Sequence, residues 1–148
     1  MIYVDADACP VKDEVYRVAT RLSVAVTVVA NTRMRVPANR MRLPANVEAV
    51  VVGSALDAAD DWIAARTGPG DVVITADILL AARCIASGAK VVPPDGRPLD
   101  AESIGDAVAT RALMADLREQ GLAGGGPAPF SPKDRSRFLH ALDRALRP

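Results

Sequence analysis

The feature that most constrains the fold is a regular alternation of short, β-branched apolar runs with longer stretches of helical pattern. Runs that are apolar without interruption are typical of strands that a parallel sheet buries on both faces. The helical stretches between them, about 10–13 residues long, are suited to the crossovers that parallel strands require. The sequence therefore predicts an α/β fold with a mostly parallel central sheet of about five strands flanked by helices. The predicted strands are Met1–Asp5, Val24–Ala30, Val47–Val52, Asp71–Thr75 and Ala89–Pro93.

Helix signals fill the intervals and dominate the last fifty residues. Beyond Pro98 the pattern is helical, as one long helix or two, and Gly121–Pro129 has the composition of a linker. The segment from Ser131 to Asp134 then predicts the start of a last helix, with Ser131 as N-cap, Pro132 at the first helical position and Asp134 at the third, as in a capping box. We expect a single α/β domain over residues 1–148, of which 100–148 is a helical extension packed on the same domain. The earlier predicted helices are Pro10–Leu22, Ala55–Thr67 and Asp77–Ser87.

Composition excludes several classes of protein. Half of the 148 residues are hydrophobic, which excludes a disordered chain, and no apolar stretch approaches the roughly 18–20 residues of a membrane span. Asp5 and Asp7 interrupt any secretory leader, and two cysteines are too few for a disulfide scaffold. We therefore expect a cytoplasmic protein without a membrane partner; the sequence does not specify its oligomeric state. The charges of the 18 basic and 18 acidic side chains cancel. A net charge of zero argues against strong nonspecific binding to nucleic acid but is compatible with a locally basic groove.

Polar side chains follow three of the predicted strands at their carboxyl ends. Asp5 and Asp7 follow the first strand, Asn31 follows the second, and Asp77 follows the fourth. Ligands of open parallel sheets bind beyond this edge, so we expect these groups to converge there. Carboxylates brought together repel one another unless a cation neutralises them, and Mg²⁺ or Mn²⁺ with retained waters is the usual solution. Taken singly, each residue also has an ordinary interpretation as a helix cap or a turn residue.

Asp60 is a further candidate because of its position on a helix. Leu56, Ala59 and Ile63 form an apolar stripe at helical spacing, and Asp60 falls within that stripe. A carboxylate on a core-facing stripe is costly unless it is paired or binds a metal. We therefore predict that Asp60 has a functional role.

The loop from Thr32 to Asn46 is the most basic local stretch of the chain. It contains Arg33, Arg35 and two further arginines, has no acidic residue, and leaves the sheet at the same edge as Asn31. Guanidinium groups suit phosphate oxygens, so Asn31, Arg33 and Arg35 are the candidate substrate-binding residues. The alternative is a solvated loop in an arginine-rich protein.

Six motifs stand in order along nearly the whole chain: DADACP at 5–10, VAN at 29–31, RVP at 35–37, Asp57-x-x-Asp60, ITADI at 74–78, and GGP at 125–127 with Asp134-Arg135. Together they resemble the YaiI/YqxD family of uncharacterised bacterial proteins. This family is grouped by similarity with PIN-like and NYN-like domains, which are metal-dependent nucleases built on a parallel α/β sandwich with an acidic pocket. The resemblance implies that Asp5, Asp60 and Asp77 correspond to that pocket, with Asp7 and Asn31 as family additions. No established activity comes with the family name, and the chain departs from the family at Leu79, where proline is common.

Three functional hypotheses follow. The first is a metal-dependent phosphodiesterase, acting on RNA or another nucleic acid, in which Asp5, Asp60 and Asp77 are catalytic and hold Mg²⁺ or Mn²⁺ together with Asp7. The second is a non-catalytic metal- or RNA-binding module with a degenerate pocket of the same kind. The third is an aspartate-nucleophile phosphatase, since Asp5-x-Asp7 directly after the first strand resembles that enzyme's acidic pair; the lysine and late acidic pair that it also needs are not found.

Overall fold

A computed structural model of the chain describes residues 1–7, 9–31, 43–53, 55, 57–122 and 130–147. The described residues form five strands and five helices, and the last two of the five helices follow the fifth strand. The strands are β1 (Ile2–Asp5), β2 (Val26–Ala30), β3 (Val47–Val51), β4 (Val72–Ile74) and β5 (Lys90–Val92). The helices are α1 (Lys12–Arg21), α2 (Ala58–Arg66), α3 (Ile78–Ala86), α4 (Ile104–Glu119) and α5 (Pro132–Leu146).

The five strands form one sheet in the order β3-β2-β1-β4-β5, and every pairing is parallel. The predicted α/β class and strand number are therefore confirmed, and the sheet is wholly rather than mostly parallel. The chain runs outward from β1 through β2 to β3 and then returns to the other side of β1 to form β4 and β5. The order thus reverses between β1 and β4, and a crevice at such a switch point is where open α/β sheets bind ligands.

Alternating side chains of the sheet contribute to two separate cores. On one face Ile2 and Val4 of β1 pack with α1 and with Phe138 of α5. On the other face Val73 of β4 packs with α2 and α3, where Ile63 is fully buried. This arrangement explains the uninterrupted apolar runs, because a strand covered on both faces has no exposed side.

Sequence patterns misjudged the outermost strand and one helix. Val47–Val52 is apolar enough to suggest burial on both faces, but β3 is an edge strand and Val51 is 55% exposed. The helix predicted from Ala55 begins at Ala58, with Asp57 in the N-cap position. The other boundaries agree to within a few residues. Small differences remain because strand and helix ends depend on neighbours that a local pattern does not include. Most of the predicted linker Gly121–Pro129 lies outside the described residues.

The two helices of the last fifty residues differ in how they pack. α4 is a single helix that lies against α3 and buries no residue completely. α5 begins with the predicted capping box between Ser131 and Asp134, and its Phe138 and Leu142 are fully buried. α5 is therefore part of the principal core. Within the described part of the chain, no helix combines the length and the apolar character needed to cross a membrane.

A tight backbone contact fixes the position of α5. Gly96, in the loop after β5, has a φ of +73°, and a Cβ placed on it would lie 2.4 Å from the backbone of Arg137 and Phe138. Both the backbone conformation and the space therefore require glycine. Gly105, in α4, provides a contrast, because a Cβ there would meet no atom within 4 Å.

We predict that Gly96→Ala lowers the free energy of unfolding by roughly 1–3 kcal/mol, because the added methyl group displaces α5 and strains the backbone. The matched change Gly105→Ala should be neutral or stabilise the protein by up to about 1 kcal/mol, since alanine favours helix. Urea denaturation of both variants measures the difference. Equal stabilities would contradict the proposed contact between the loop and α5.

Candidate functional site

A concave site of about 410 Å³ lies beyond the carboxyl ends of the strands, at the β1/β4 switch point. The structure brings together in it all four carboxylates that the sequence nominated, and Asn31 with them. We call this the acidic site. Its lining residues are Asp5, Asp7, Asn31, Asp60, Ala76, Asp77, Ile78 and Arg111.

Hydrogen bonds of the Thr75 hydroxyl join the Asp5 carboxylate to the backbone of Asp77. The Thr75 hydroxyl donates to Oδ2 of Asp5 over 2.9 Å and accepts from the backbone N–H of Asp77 over 3.0 Å. Thr75 is only 2% exposed, so its hydroxyl has little access to water. Thr75 therefore sets the position of Asp5 relative to the start of α3.

Asp77 is the N-cap of α3. Its Oδ1 accepts from the backbone N–H groups of Leu79 and Leu80, at 2.9 and 3.2 Å. Both bonds use the same oxygen, and the Asp77 side chain also lines the acidic site. Capping and a functional role, which appear as alternatives in the sequence, are thus compatible in one side chain.

Asn31 connects the end of β2 to α2. Its side-chain oxygen accepts from the backbone N–H of Ala59 over 2.8 Å, and its own backbone N–H donates to Oδ2 of Asp7 over 3.3 Å. Ala59 directly precedes Asp60, so Asn31 holds the first turn of α2 at the edge of the sheet. We infer that Asn31 positions Asp60. This role is independent of any contact that the side-chain NH₂ group of Asn31 makes with a ligand.

Asp60 lies in the first turn of α2 between two buried apolar residues. Ala59 is 2% exposed and Ile63 is fully buried, which agrees with the predicted apolar face; Leu56 lies outside the described residues. Asp60 itself is half-buried. Burial is the largest cause that raises its pKa, from 3.8 to about 6, followed by the charges of Asp77 and Asp5.

The acidic site is electrostatically crowded. Burial also raises the pKa of Asp5, and the charges of Asp7 and Asp77 act in the same direction. None of the four carboxylates belongs to an ion pair within the described part of the chain. No ion pair therefore neutralises these carboxylates, and their mutual repulsion favours binding of a cation.

Thr75 and Arg111 contribute to the acidic site, although the sequence assigned neither of them a role. Thr75 was placed at the end of a strand without a role, because its hydrogen bond to the Asp5 carboxylate, 70 positions away in the chain, leaves no local signal. Arg111 is the one basic side chain among the described residues that line the acidic site, and it comes from α4. No spacing rule links it to Asp5, since only the packing of α4 on α3 brings it there.

The predicted phosphate-binding arginines, Arg33 and Arg35, lie outside the described residues, as does the rest of 32–42. Asn31, the last described residue before this segment, lines the acidic site. Their role in substrate binding stays a prediction.

The donor set favours a hard, hydrated cation. Carboxylate and amide oxygens are the ligands that Mg²⁺ and Mn²⁺ prefer. In the described part of the chain, no group of three or more Asp, Glu, His or Cys side chains is gathered closely enough to hold a metal ion directly. Mg²⁺ usually takes one or two carboxylates and keeps several waters, so the arrangement fits an ion held partly through water.

Comparison with known proteins places the chain among bacterial sequences of one family. A family model described as "Uncharacterized BCR, YaiI/YqxD family" matches residues 3–148. A UPF0178 protein of Bradyrhizobium diazoefficiens is 56% identical over 99% of this chain and 84% of its own length. A UPF0178 protein of Rhodopseudomonas palustris strain TIE-1 is 58% identical over 99% of this chain and 89% of its own length. A UPF0178 protein of Nitrobacter winogradskyi is 55% identical over 99% of this chain and 90% of its own length. No solved structure matches the chain.

The pKa of Asp60 predicts a pH-dependent stability in metal-free protein. The native carboxyl ionises near pH 6 and the unfolded one near 3.8, so between these values only the native state holds the proton and stability falls as pH rises. Above pH 6 the Asp60 carboxylate is ionised in the native state, and its full unfavourable contribution to the free energy of unfolding is present. Asp60→Asn removes that cost and should stabilise the protein at pH 7.5, by about 1 kcal/mol after allowance for partial exposure, with no gain below pH 4.

Thermal unfolding in EDTA across this pH range measures the effect. Asp61→Asn is the matched control, because Asp61 is exposed and pairs with Arg83 at 2.8 Å, so its loss should not stabilise the protein. A gain from Asp60→Asn that is the same at every pH would refute the electrostatic origin.

Proposed function

The chain belongs to the YaiI/YqxD family, and we propose that its acidic site is that of a metal-dependent phosphodiesterase acting on RNA or another nucleic acid. The observation that carries the proposal is the convergence of Asp5, Asp60 and Asp77, from three separate elements, on one concave site at the switch point of a parallel sheet. A PIN-like relationship is part of the proposal. It is supported by the acidic pocket and the all-parallel sheet, which are the features that this relationship implies.

The carboxylates supply the metal ligands. Asp5, Asp60 and Asp77, with Asp7 at the rim, would hold Mg²⁺ or Mn²⁺ directly or through water. When bound, the ion supplies Lewis-acid polarisation of the phosphodiester and neutralises the charge that develops on it. Protons compete with the ion at Asp60, so metal affinity should fall as the pH drops below about 6.

Arg111 is suited to orient the substrate. It lines the acidic site from the side of α4, and a guanidinium there offers donors to phosphate oxygens in a site that otherwise repels anions. Arg33 and Arg35 follow Asn31 in the chain and remain the proposed further contacts to substrate. A phosphodiester would therefore bind between the carboxylates and these guanidiniums.

A non-catalytic metal- or RNA-binding module is the second candidate. It is favoured by one observation, namely that the described carboxylates are not gathered into a direct three-ligand group. A site of that kind would bind an ion through water without activating a phosphodiester for cleavage.

The decisive experiment compares cleavage of a labelled single-stranded RNA by the native protein and by Asp77→Asn, with Mn²⁺ or with EDTA. Asparagine keeps an oxygen that caps α3, so the variant removes charge while retaining the fold. We expect cleavage that requires Mn²⁺ and falls at least about 100-fold in Asp77→Asn, because replacing a metal ligand should cost at least as much as removing its supporting contacts. Asp61→Asn should cleave normally.

Two outcomes would overturn the catalytic proposal. Equal cleavage by the native protein and Asp77→Asn would indicate a contaminating nuclease. Saturable Mn²⁺ binding by calorimetry, lost in Asp77→Asn but without any cleavage, would select the non-catalytic candidate.

A further inference from the structure

A second concavity, of about 480 Å³, lies between α1 and α5 and shares no residue with the acidic site. We call it the basic cleft. The two helices that form it belong to the core on one face of the sheet, whereas α2 and α3 cover the other face. Its lining residues are Arg17, Val18, Arg21, Leu139, His140, Asp143 and Arg147.

Positive charge exceeds negative charge in the basic cleft. Asp143 is its single carboxylate, and it pairs with two guanidiniums: Arg147 at 2.8 Å and Arg21 at 3.2 Å. Arg17 forms no ion pair within the described part of the chain. Three arginines against one aspartate leave two positive charges in excess, in a chain whose net charge is zero.

The guanidiniums of the basic cleft are partly preorganised. Asp143 holds Arg147 through two hydrogen bonds, Nε to Oδ2 and a terminal nitrogen to Oδ1, and holds Arg21 through a third. Val18 of α1 is 6% exposed, and Leu142 of α5 is fully buried, so both helices are anchored in the core beneath the cleft. A ligand would therefore meet arginines whose conformational freedom is already reduced, which lowers the entropy cost of binding.

An ion pair between an exposed arginine and a buried glutamate fixes the two helices relative to each other. The Arg135 guanidinium of α5 is bonded to the Glu14 carboxylate of α1, and Glu14 is only 5% exposed. The walls of the basic cleft come from residues more than a hundred positions apart, and this contact keeps them in register. The cleft is thus a product of the tertiary structure rather than of one basic helix.

We propose that the basic cleft binds a phosphoryl group, carried either by a nucleic-acid backbone or by a small phosphomonoester. Guanidinium groups match phosphate oxygens in geometry, and the two excess charges equal those of a phosphate dianion. Val18 and Leu139 provide an apolar floor that limits hydration of the bound group. The proposal does not depend on the acidic site being catalytic.

His140 provides a direct reporter, because it is the only histidine of the chain and lines the basic cleft. Its imidazole proton resonances are followed by NMR while inorganic phosphate is added at constant pH and ionic strength, in EDTA. We expect a saturable shift with phosphate and none with chloride. Identical shifts with both salts would mean nonspecific screening and would overturn the proposal.

Two variants give opposite expected signs. Arg17→Gln removes an arginine that makes no ion pair in the described residues and should weaken phosphate binding about three- to ten-fold. Asp143→Asn raises the excess charge by one unit, and because this gain should outweigh the lost preorganisation of Arg147 and Arg21, it should tighten binding by a similar factor. Arg118→Gln is the matched control, since Arg118 is exposed on α4. This variant should bind phosphate as the native protein does. Thermal unfolding of each variant checks that α5 stays docked; unchanged affinity in both folded cleft variants would overturn the proposal.

The source of the phosphoryl group is distinguished by comparing glycerol phosphate with a single-stranded oligonucleotide. Tighter binding of the oligonucleotide, with log affinity falling by about 0.7 per phosphate contact against log salt, supports a nucleic-acid backbone. Equal or tighter binding of glycerol phosphate supports a small phosphomonoester. Failure of both to perturb His140 would overturn the proposal and would leave the proposed chemistry of the acidic site unaffected.

Discussion

All five strands of the sheet run in the same direction, so the residues that follow them lie at one edge of the sheet. The polar side chains that meet there determine the character of the site. Asp5 ends β1, and Thr75 and Asp77 follow β4, its neighbour in the sheet. The strand order reverses between these two strands, and an open parallel sheet leaves a crevice at such a switch point. The Thr75 hydroxyl links the two sides of this crevice, which makes the convergence of the carboxylates a fixed geometry.

Crowded carboxylates are unfavourable for folding, and the protein retains them. The half-buried position of Asp60 raises its pKa to about 6, and burial raises the pKa of Asp5 as well. The supporting contacts, such as Asn31 to the first turn of α2, hold the acids together although they repel one another. Such an arrangement is expected where a site trades stability for ligand binding, since a bound cation would offset the repulsion.

A net charge of zero conceals a separation of charge across the fold. The acidic site draws its carboxylates from β1, α2 and the start of α3, whereas the basic cleft lies between α1 and α5 on the other face. α5 contributes both to this separation and to the core, since Phe138 and Leu142 are fully buried while Arg147 lines the cleft. The total charge of the chain therefore describes neither surface.

Local patterns in the sequence were sufficient for the parallel α/β class, the approximate bounds of the strands and the capping box of α5, because these depend on hydrophobic period and on short-range capping. They were also sufficient to nominate Asp5, Asp7 and Asp77, because the carboxyl ends of parallel strands share an edge whatever their order. Asp60 was nominated because it falls within an apolar stripe at helical spacing. The exposed edge position of β3, the Thr75 bridge and the place of Arg111 beside the carboxylates were decided only by the tertiary structure. Strand order, helix docking and contacts between residues far apart in the chain set these features, and no periodicity within one segment encodes them.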